Sequence, residues 1–351
     1  MYAIILGFIT AFTLTYTVIP SIIRVAKLKN LFDRPNERSA HAAPTPSLGG
    51  IGIFAGAVCG IILWTPFEAF GVLQYILAAF VILFLVGVKD DLIAISPTKK
   101  FIAQILCAVI LVYKSHIRVT SLYGVMGIYD LPEIFSFVLS IVAIVGIINA
   151  FNLIDGINGL AGSVGALACV TWGTWFFLVD RIELAIVAFS VAGAVLAFLK
   201  YNFTPAQIFM GDTGSLLIGM VCAILAIKFI ELQREIPVGK TFAFDAAPAI
   251  AIGILILPLY DTCRVFVRRI MQGKSPFYPD KTHIHHLLLD VGLTHMQATA
   301  VLVGTNVFFI ALVITFNRLG TMPLLMLELG VAFLATSYLY RLAARRKTTS
   351  M

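Results

Sequence analysis

EIFSFVLSIVAIVGIINAFNLIDGINGLAG, residues 133–162, decides what kind of molecule this is. Its first part is a predominantly apolar run, long enough for a bilayer-crossing helix, which needs about 20 such residues. The run then sets down Asn152, Asp155 and Asn158 at three-residue intervals with glycines among them. If the helix continues, i and i+3 are neighbours, and these three side chains share one face. A polar face at the end of an apolar helix needs a reason.

The rest of the chain resembles that run. Hydrophobic residues fill 60% of 351 positions, charged residues 12%, and the mean hydropathy is +0.98, outside the range of soluble globular proteins. The expected fold is an all-α integral membrane protein with about 11 transmembrane helices, near 2–23, 48–64, 70–88, 101–113, 134–150, 161–179, 184–200, 214–230, 246–267, 296–316 and 322–340. The first stretch has no basic n-region or small-residue cleavage site, so it reads as a span and not as a signal peptide. Cys59, Cys107, Cys169, Cys222 and Cys263 are scattered singly, without the paired spacing of a zinc site or disulfide framework. Residues 115–132 alternate apolar and polar around Gly124 and Gly127, which suits a short outer β-hairpin near 117–130.

Eleven spans put the termini on opposite sides. With the N-terminus outside and the C-terminus in the cytoplasm, the inner loops hold 18 of the 25 Lys and Arg. Cytoplasmic loops carry that excess, so the charge distribution selects this orientation. The net charge of +7 is then a topology signal, and no basic domain exists to bind nucleic acid.

In that arrangement five dense polar stretches face the cytoplasm: RPNERSAHAAPTPSLGG (34–50), GVKDD (87–91), NAFNLIDGINGLAGS (149–163), NFTPAQIFMGDTGSL (202–216) and SPFYPDKTHIHHLL (275–288). Acids at membrane depth are functional candidates by default, although Asp90 and Asp91 as a single pair could simply mark the water boundary. Asp212, in FMGDTGSL, stands where a helix begins; it either caps that helix or holds a divalent cation through hard oxygen ligands. His283, His285 and His286 lack HExxH spacing, and with Lys281 and Arg264 they suggest a cationic pocket for an anion. His41, near Arg38 and Lys27, joins that pocket or is solvated. Phe209 and Phe151 pack in the core or stack on a base, and Asn152, Asn158 and Asn202 cap helices or read a ring edge.

Taken in order, these five stretches resemble the polyprenyl-phosphate N-acetylhexosamine-1-phosphate transferases, the membrane superfamily that includes MraY, WecA, TagO and the eukaryotic dolichyl-phosphate enzyme. The likeness covers nearly the whole chain. HIHHLL preceded by SPFYPDKT looks like the WecA/TagO branch. The resemblance implies a single polytopic domain over 1–351 with cytoplasmic active-site loops near 24–47, 89–100, 151–160, 201–213 and 268–295. It implies an enzyme of the bacterial cytoplasmic membrane that moves GlcNAc-1-phosphate from UDP-GlcNAc to undecaprenyl phosphate, releasing UMP and starting cell-surface glycan synthesis. Ser47 stands where the best-studied members often carry a basic residue, so the GalNAc, QuiNAc and FucNAc nucleotides stay open as donors; Asn158 stands where MraY has Asp, a position that varies among the other branches.

Carried over by position, the resemblance makes Asp90, Asp91, Asp155 and Asp212 the catalytic acids, with Asp212 and Asp155 on Mg²⁺, for which Mn²⁺ can substitute. Asn152, Asn158, Asn202, Phe209, His283, His285, His286, Lys99, Arg264 and His41 become the substrate-binding set, Phe209 as the uracil platform. The lipid acceptor is expected to enter sideways between spans, near 101–113 and the span interrupted by Pro258. Direct attack and a covalent Asp intermediate both stay open. The implied partners are the UDP-N-acetylhexosamine, undecaprenyl phosphate and the bilayer itself. Related enzymes are often dimeric, which puts a homodimer among the expectations. A secondary transporter, the competing class, places its site near the midplane, often with internal repeats, and neither feature is visible here.

Overall fold

The computed structural model describes residues 1–32, 44–237, 241–275 and 282–349. Every one of the eleven apolar stretches is helical. In chain order the helices are α1 (Tyr2–Leu28), α2 (Gly49–Trp64), α3 (Phe70–Leu92), α4 (Pro97–Lys114), α5 (Glu133–Ile154), α6 (Leu160–Leu178) and α7 (Ile182–Asn202). They continue with α8 (Gly211–Leu232), α9 (Ala247–Ile254), α10 (Ile256–Met271), α11 (Ile284–Asp290), α12 (His295–Thr315) and α13 (Thr321–Thr349).

The protein is an all-α, multi-pass membrane protein. Eight helices among the described residues are long and apolar enough to cross a bilayer, or nine with the bent pair α9–α10 taken as one span. Length and composition alone thus account for eight or nine of the eleven expected spans. α2 is apolar but only 16 residues long, about 24 Å at helical rise. α4 carries Lys99 and Lys100 in its first turn and Lys114 at its end.

α8 is the axis of the bundle. Within its apolar window 83% of residues are buried, against 28% for α1 and 22% for α13. It packs on α2, α3, α5, α6, α7 and α9, so the residues at its N-terminus are held from several directions at once.

The span expected at 246–267 is broken. α9 and α10 meet at Leu255 with a bend of 84°. Pro258 falls in the first turn of α10, where its missing N–H has no intrahelical partner to lose. The bend thus lies just before the proline, not at it. Asn306 of α12 donates from Nδ2 to the Ile254 carbonyl at 3.0 Å, satisfying backbone that the break sets free.

The expected hairpin is present as β1 (Ser121–Val125) and β2 (Ile128–Asp130), antiparallel, with Ser121 opposite Asp130. Glu231, at the far end of α8 from Asp212, accepts hydrogen bonds from the Thr120 N–H (2.8 Å) and Oγ1 (2.7 Å), and Arg234 pairs with Asp130 at 2.8 Å. The hairpin therefore closes the end of the bundle opposite the acidic loops.

Candidate active site

The polar loops enclose one cavity of about 700 Å³. It is lined from α3 (Asp90, Asp91), the α5–α6 turn (Asn152, Asp155, Asn158), the α7–α8 connection (Asn202, Phe209, Asp212), and His286 and His295. Residues 30–32 and 47–48, flanking an undescribed stretch, complete the wall. His41 lies in that stretch, outside the described residues.

α3 ends in the two acids, and they do different work. Asp91 receives the N-terminus of α8: Oδ1 accepts the Asp212 N–H at 2.7 Å, while Oδ2 accepts the Thr213 N–H at 3.0 Å and its hydroxyl at 2.5 Å. A carboxylate from another helix thus caps α8, which has no cap of its own. The approach requires Gly211, at φ +71°; a Cβ there would lie 2.6 Å from an Asp91 oxygen and 2.2 Å from the Ser47 carbonyl. Asp90 accepts the Ile95 N–H at 2.8 Å and pairs with Lys100 at 3.1 Å.

Lys100 also pairs with Asp212, and so bridges the carboxylates of α3 and α8. This corrects the expectation for Lys99, which is exposed on α4 while its neighbour turns into the acidic group. Asp212 is held further by Asn152, whose Nδ2 donates at 2.9 Å and also reaches Ser215 Oγ at 3.0 Å.

The helix does not continue through residues 155–158. α5 ends at Ile154 and Asp155 adopts ψ 51°, yet all three polar residues still face the cavity, because the turn folds over its mouth. Asp155 makes no hydrogen bond or ion pair among the described residues. Burial, with the nearby charges of Asp212 and Asp91, pushes its carboxyl up to about 7. Asn158 donates to Thr204 Oγ1 at 2.9 Å. Asn202 is largely buried at the cavity wall, accepting the Gly159 N–H at 2.7 Å and donating to the Ile208 carbonyl at 2.9 Å. Phe209 is pinned through its backbone between the Pro46 carbonyl (2.7 Å) and the Gly49 N–H (2.9 Å), leaving its half-buried ring on the cavity wall.

Only one of the three histidines of HIHH fronts the cavity. His286 does, while His283 and His285 are buried behind it. His285 lies against Gly156, where a Cβ would sit 2.4 Å from its Nε2. Burial pushes His285 down to about 3, so it is neutral and adds no charge to the expected cationic pocket. Arg264 likewise does not line the cavity. Its guanidinium is taken up by Asp261 (2.6 Å), the Thr282 carbonyl (2.6 Å) and Tyr340.

Reading the sequence missed Lys100, His295 and Asp261. Asp261 had a signal, since an acid inside an apolar span is a functional candidate by the rule applied to Asp90. Lys100 had none that distinguished it from Lys99 before the helix register was known.

A divalent cation fits this chemistry. Among the described residues no three His, Cys, Asp or Glu side chains close around one metal position. Mg²⁺ does not need that, because it binds through one or two carboxylates and fills its shell with waters and phosphates. Asp155 and Asp212 on one cavity, the former unpartnered and crowded by like charge, are such a pair.

The chain is similar to known proteins over most of its length. Residues 73–230 match the family model described as glycosyl transferase family 4. The chain is 30% identical to the undecaprenyl-phosphate alpha-N-acetylglucosaminyl 1-phosphate transferase of Salmonella typhi, over 81% of this chain and 78% of that one. It is also 30% identical to the probable undecaprenyl-phosphate N-acetylglucosaminyl 1-phosphate transferase of Bacillus subtilis, over 86% and 82%. Identity to the decaprenyl-phosphate N-acetylglucosaminephosphotransferase of Mycobacterium tuberculosis is again 30%, over 93% and 87%. With the five motifs gathered on one cavity and likeness across most of its length, the chain belongs to the polyprenyl-phosphate N-acetylhexosamine-1-phosphate transferase superfamily.

Proposed function

We propose that the protein transfers GlcNAc-1-phosphate from UDP-GlcNAc to undecaprenyl phosphate at the cytoplasmic face of the bacterial inner membrane, releasing UMP. The observation that carries this reading is the convergence of Asp90, Asp91, Asp155 and Asp212, from three separate parts of the chain, on one cavity beside the helical bundle. Two phosphates must meet there, so catalysis rests on alignment and on neutralising charge.

Asp155 and Asp212 would hold Mg²⁺, which when bound supplies positive charge for the diphosphate oxygens. Asn152 fixes the Asp212 carboxylate, and Lys100 offsets part of the acidic charge when no substrate is present. Phe209 offers a flat apolar surface to the uracil, with Asn158 at the polar edge. His286 and His295 face the sugar and diphosphate. Both Asp91 oxygens are engaged by α8, which leaves that residue unsuited to nucleophilic attack. This supports direct displacement by the lipid phosphate, with Asp90 aligning it, over a covalent intermediate on Asp91. The acceptor's phosphomonoester has already lost most of its second proton at neutral pH, so position matters more than base catalysis.

Purified protein incubated with labelled UDP-GlcNAc, undecaprenyl phosphate and Mg²⁺ yields UMP and an organic-soluble label. A panel including the UDP-linked GalNAc, QuiNAc and FucNAc donors tests the sugar, for Ser47 lines the cavity with a small neutral side chain. Failure to form a lipid-linked label with every donor overturns the reading.

A further inference from the structure

We propose that Tyr340, Arg264 and Asp261 form a positioning relay that fixes the hydrogen of His283 on Nδ1 and, through the packed imidazoles behind it, sets how His286 is presented to the cavity. The inference rests on the transfer reading for its kinetic consequence and on geometry for everything else.

The relay begins outside the site. Tyr340, on the α13 extension, accepts hydrogen bonds at Oη from Arg264 Nη1 and from Arg268 Nη1, the latter at 2.7 Å. Its ring also lies 5.6 Å and 5.5 Å from the two guanidinium carbons, so one phenol gathers two α10 cations by hydrogen bond and by ring face. Held this way, Arg264 turns its other edge inward. Nη2 donates at 2.6 Å to Asp261, one turn back on α10, and at 2.6 Å to the Thr282 carbonyl just before the histidines.

Asp261 is buried, its side chain 4% exposed. A buried carboxylate needs a counter-charge and donors on both oxygens. Arg264 supplies the charge; Oδ1 also accepts the Ile284 N–H at 3.0 Å, and Oδ2 stands 2.8 Å from His283 Nδ1. The carboxylate can only accept, so Nδ1 carries a hydrogen. His283 then lies parallel to His285, with centroids 5.7 Å apart and planes 8° apart. His285 packs against His286 at 4.3 Å. An orientation fixed at Asp261 is thereby passed to the one ring of the three on the cavity wall.

Carboxylates that orient a working imidazole are worth on the order of 10- to 100-fold in function when removed. Asp261→Asn offers an amide N–H in place of an acceptor and favours the opposite tautomer. Tyr340→Phe keeps the ring over both guanidiniums and removes only the oxygen. Both variants of the full chain, in detergent and checked for monodispersity, are expected to lower kcat, Asp261→Asn by about tenfold or more and Tyr340→Phe by roughly threefold or more. KM for the nucleotide-sugar should stay within about twofold, because neither residue touches the cavity.

A purely structural role would not move the second readout. Imidazole ¹⁵N NMR, with His283 assigned by its loss in His283→Gln, should show Nδ1–H in the parent protein and Nε2–H in Asp261→Asn. The relay is overturned if the parent carries the hydrogen on Nε2, or if Asp261→Asn leaves the tautomer unchanged. It is overturned equally if both variants keep full kcat per folded molecule. Should no donor support transfer at all, the reaction reading falls, and the tautomer measurement alone decides the relay.

Discussion

Lys99 and Lys100 are adjacent, chemically identical and separated by about 100° around a helix, and that rotation decides which of them belongs to the site. Lys100 bridges Asp90 and Asp212, while Lys99 is exposed. Lys100→Met keeps the stem and deletes the charge; turnover should drop by about tenfold or more, whereas Lys99→Met should stay within about twofold, both read as UMP release. Asp212→Asn is expected to remove Mg²⁺-dependent turnover, a loss of at least about 100-fold, while the protein still elutes as a folded species. His285 yields a prediction of a different kind. In the folded protein it stays neutral down to about pH 3, whereas the unfolded chain takes up a proton near the ordinary value of 6.5. Unfolding therefore binds a proton between those values, and the stability due to a neutral His285 is lost as pH falls below about 6.5. The thermal midpoint in detergent should decline from pH 7.5 to pH 5 more steeply for the parent than for His285→Gln. The acids were legible in the sequence because charge in an apolar chain is conspicuous. The division of labour among the histidines was not, because burial of His283 and His285 depends on how α11 docks.

At the scale of the element, apolar length announced every helix and concealed what the helices do where they break. The stretch 246–267 reads as one continuous span, and its proline looks like the cause of any kink. The bend instead centres on Leu255, supported by Asn306 from a helix some fifty residues further on. No local signal could reveal that, since the partner arrives only with tertiary packing. Pro258→Ala should consequently leave the bend intact and change stability by less than about 1 kcal/mol, Pro258 being in the first turn of α10. Asn306→Leu strips the donor from a buried carbonyl and should cost about 1–3 kcal/mol, seen as a lower thermal midpoint in the same detergent. The reverse ranking would assign the bend to the proline. The NLIDGIN turn teaches the same lesson. Its three-residue spacing suggested one helical face, and the common face is real, but a turn after Ile154 creates it.

For the whole molecule, the charge pattern and the geometry are independent and reach the same arrangement. The Lys and Arg distribution favours placing the five polar stretches on one side of the membrane, and each of those stretches contributes at least one described residue to the lining of one cavity. The hairpin, tied to the C-terminal end of α8 through Glu231, lies a full helix away from Asp212. α8 spans 22 residues, about 33 Å at helical rise, which is enough to place those two groups in opposite aqueous phases. On the proposed orientation, for which the positive-inside asymmetry of the Lys and Arg is the support, the acidic end faces the cytoplasm. Met126, 82% exposed at the hairpin turn, and Lys99, exposed beside the acids, are suited to report on this. Cysteine placed at either position can be challenged with a membrane-impermeant thiol reagent in right-side-out vesicles, using the parent's own cysteines as the background. Met126→Cys should label in intact vesicles, and Lys99→Cys only after the membrane is opened. Labelling of both from one side would mean that the chain does not cross as α8 requires, and the nucleotide-sugar would have no route from the cytoplasm to the carboxylates.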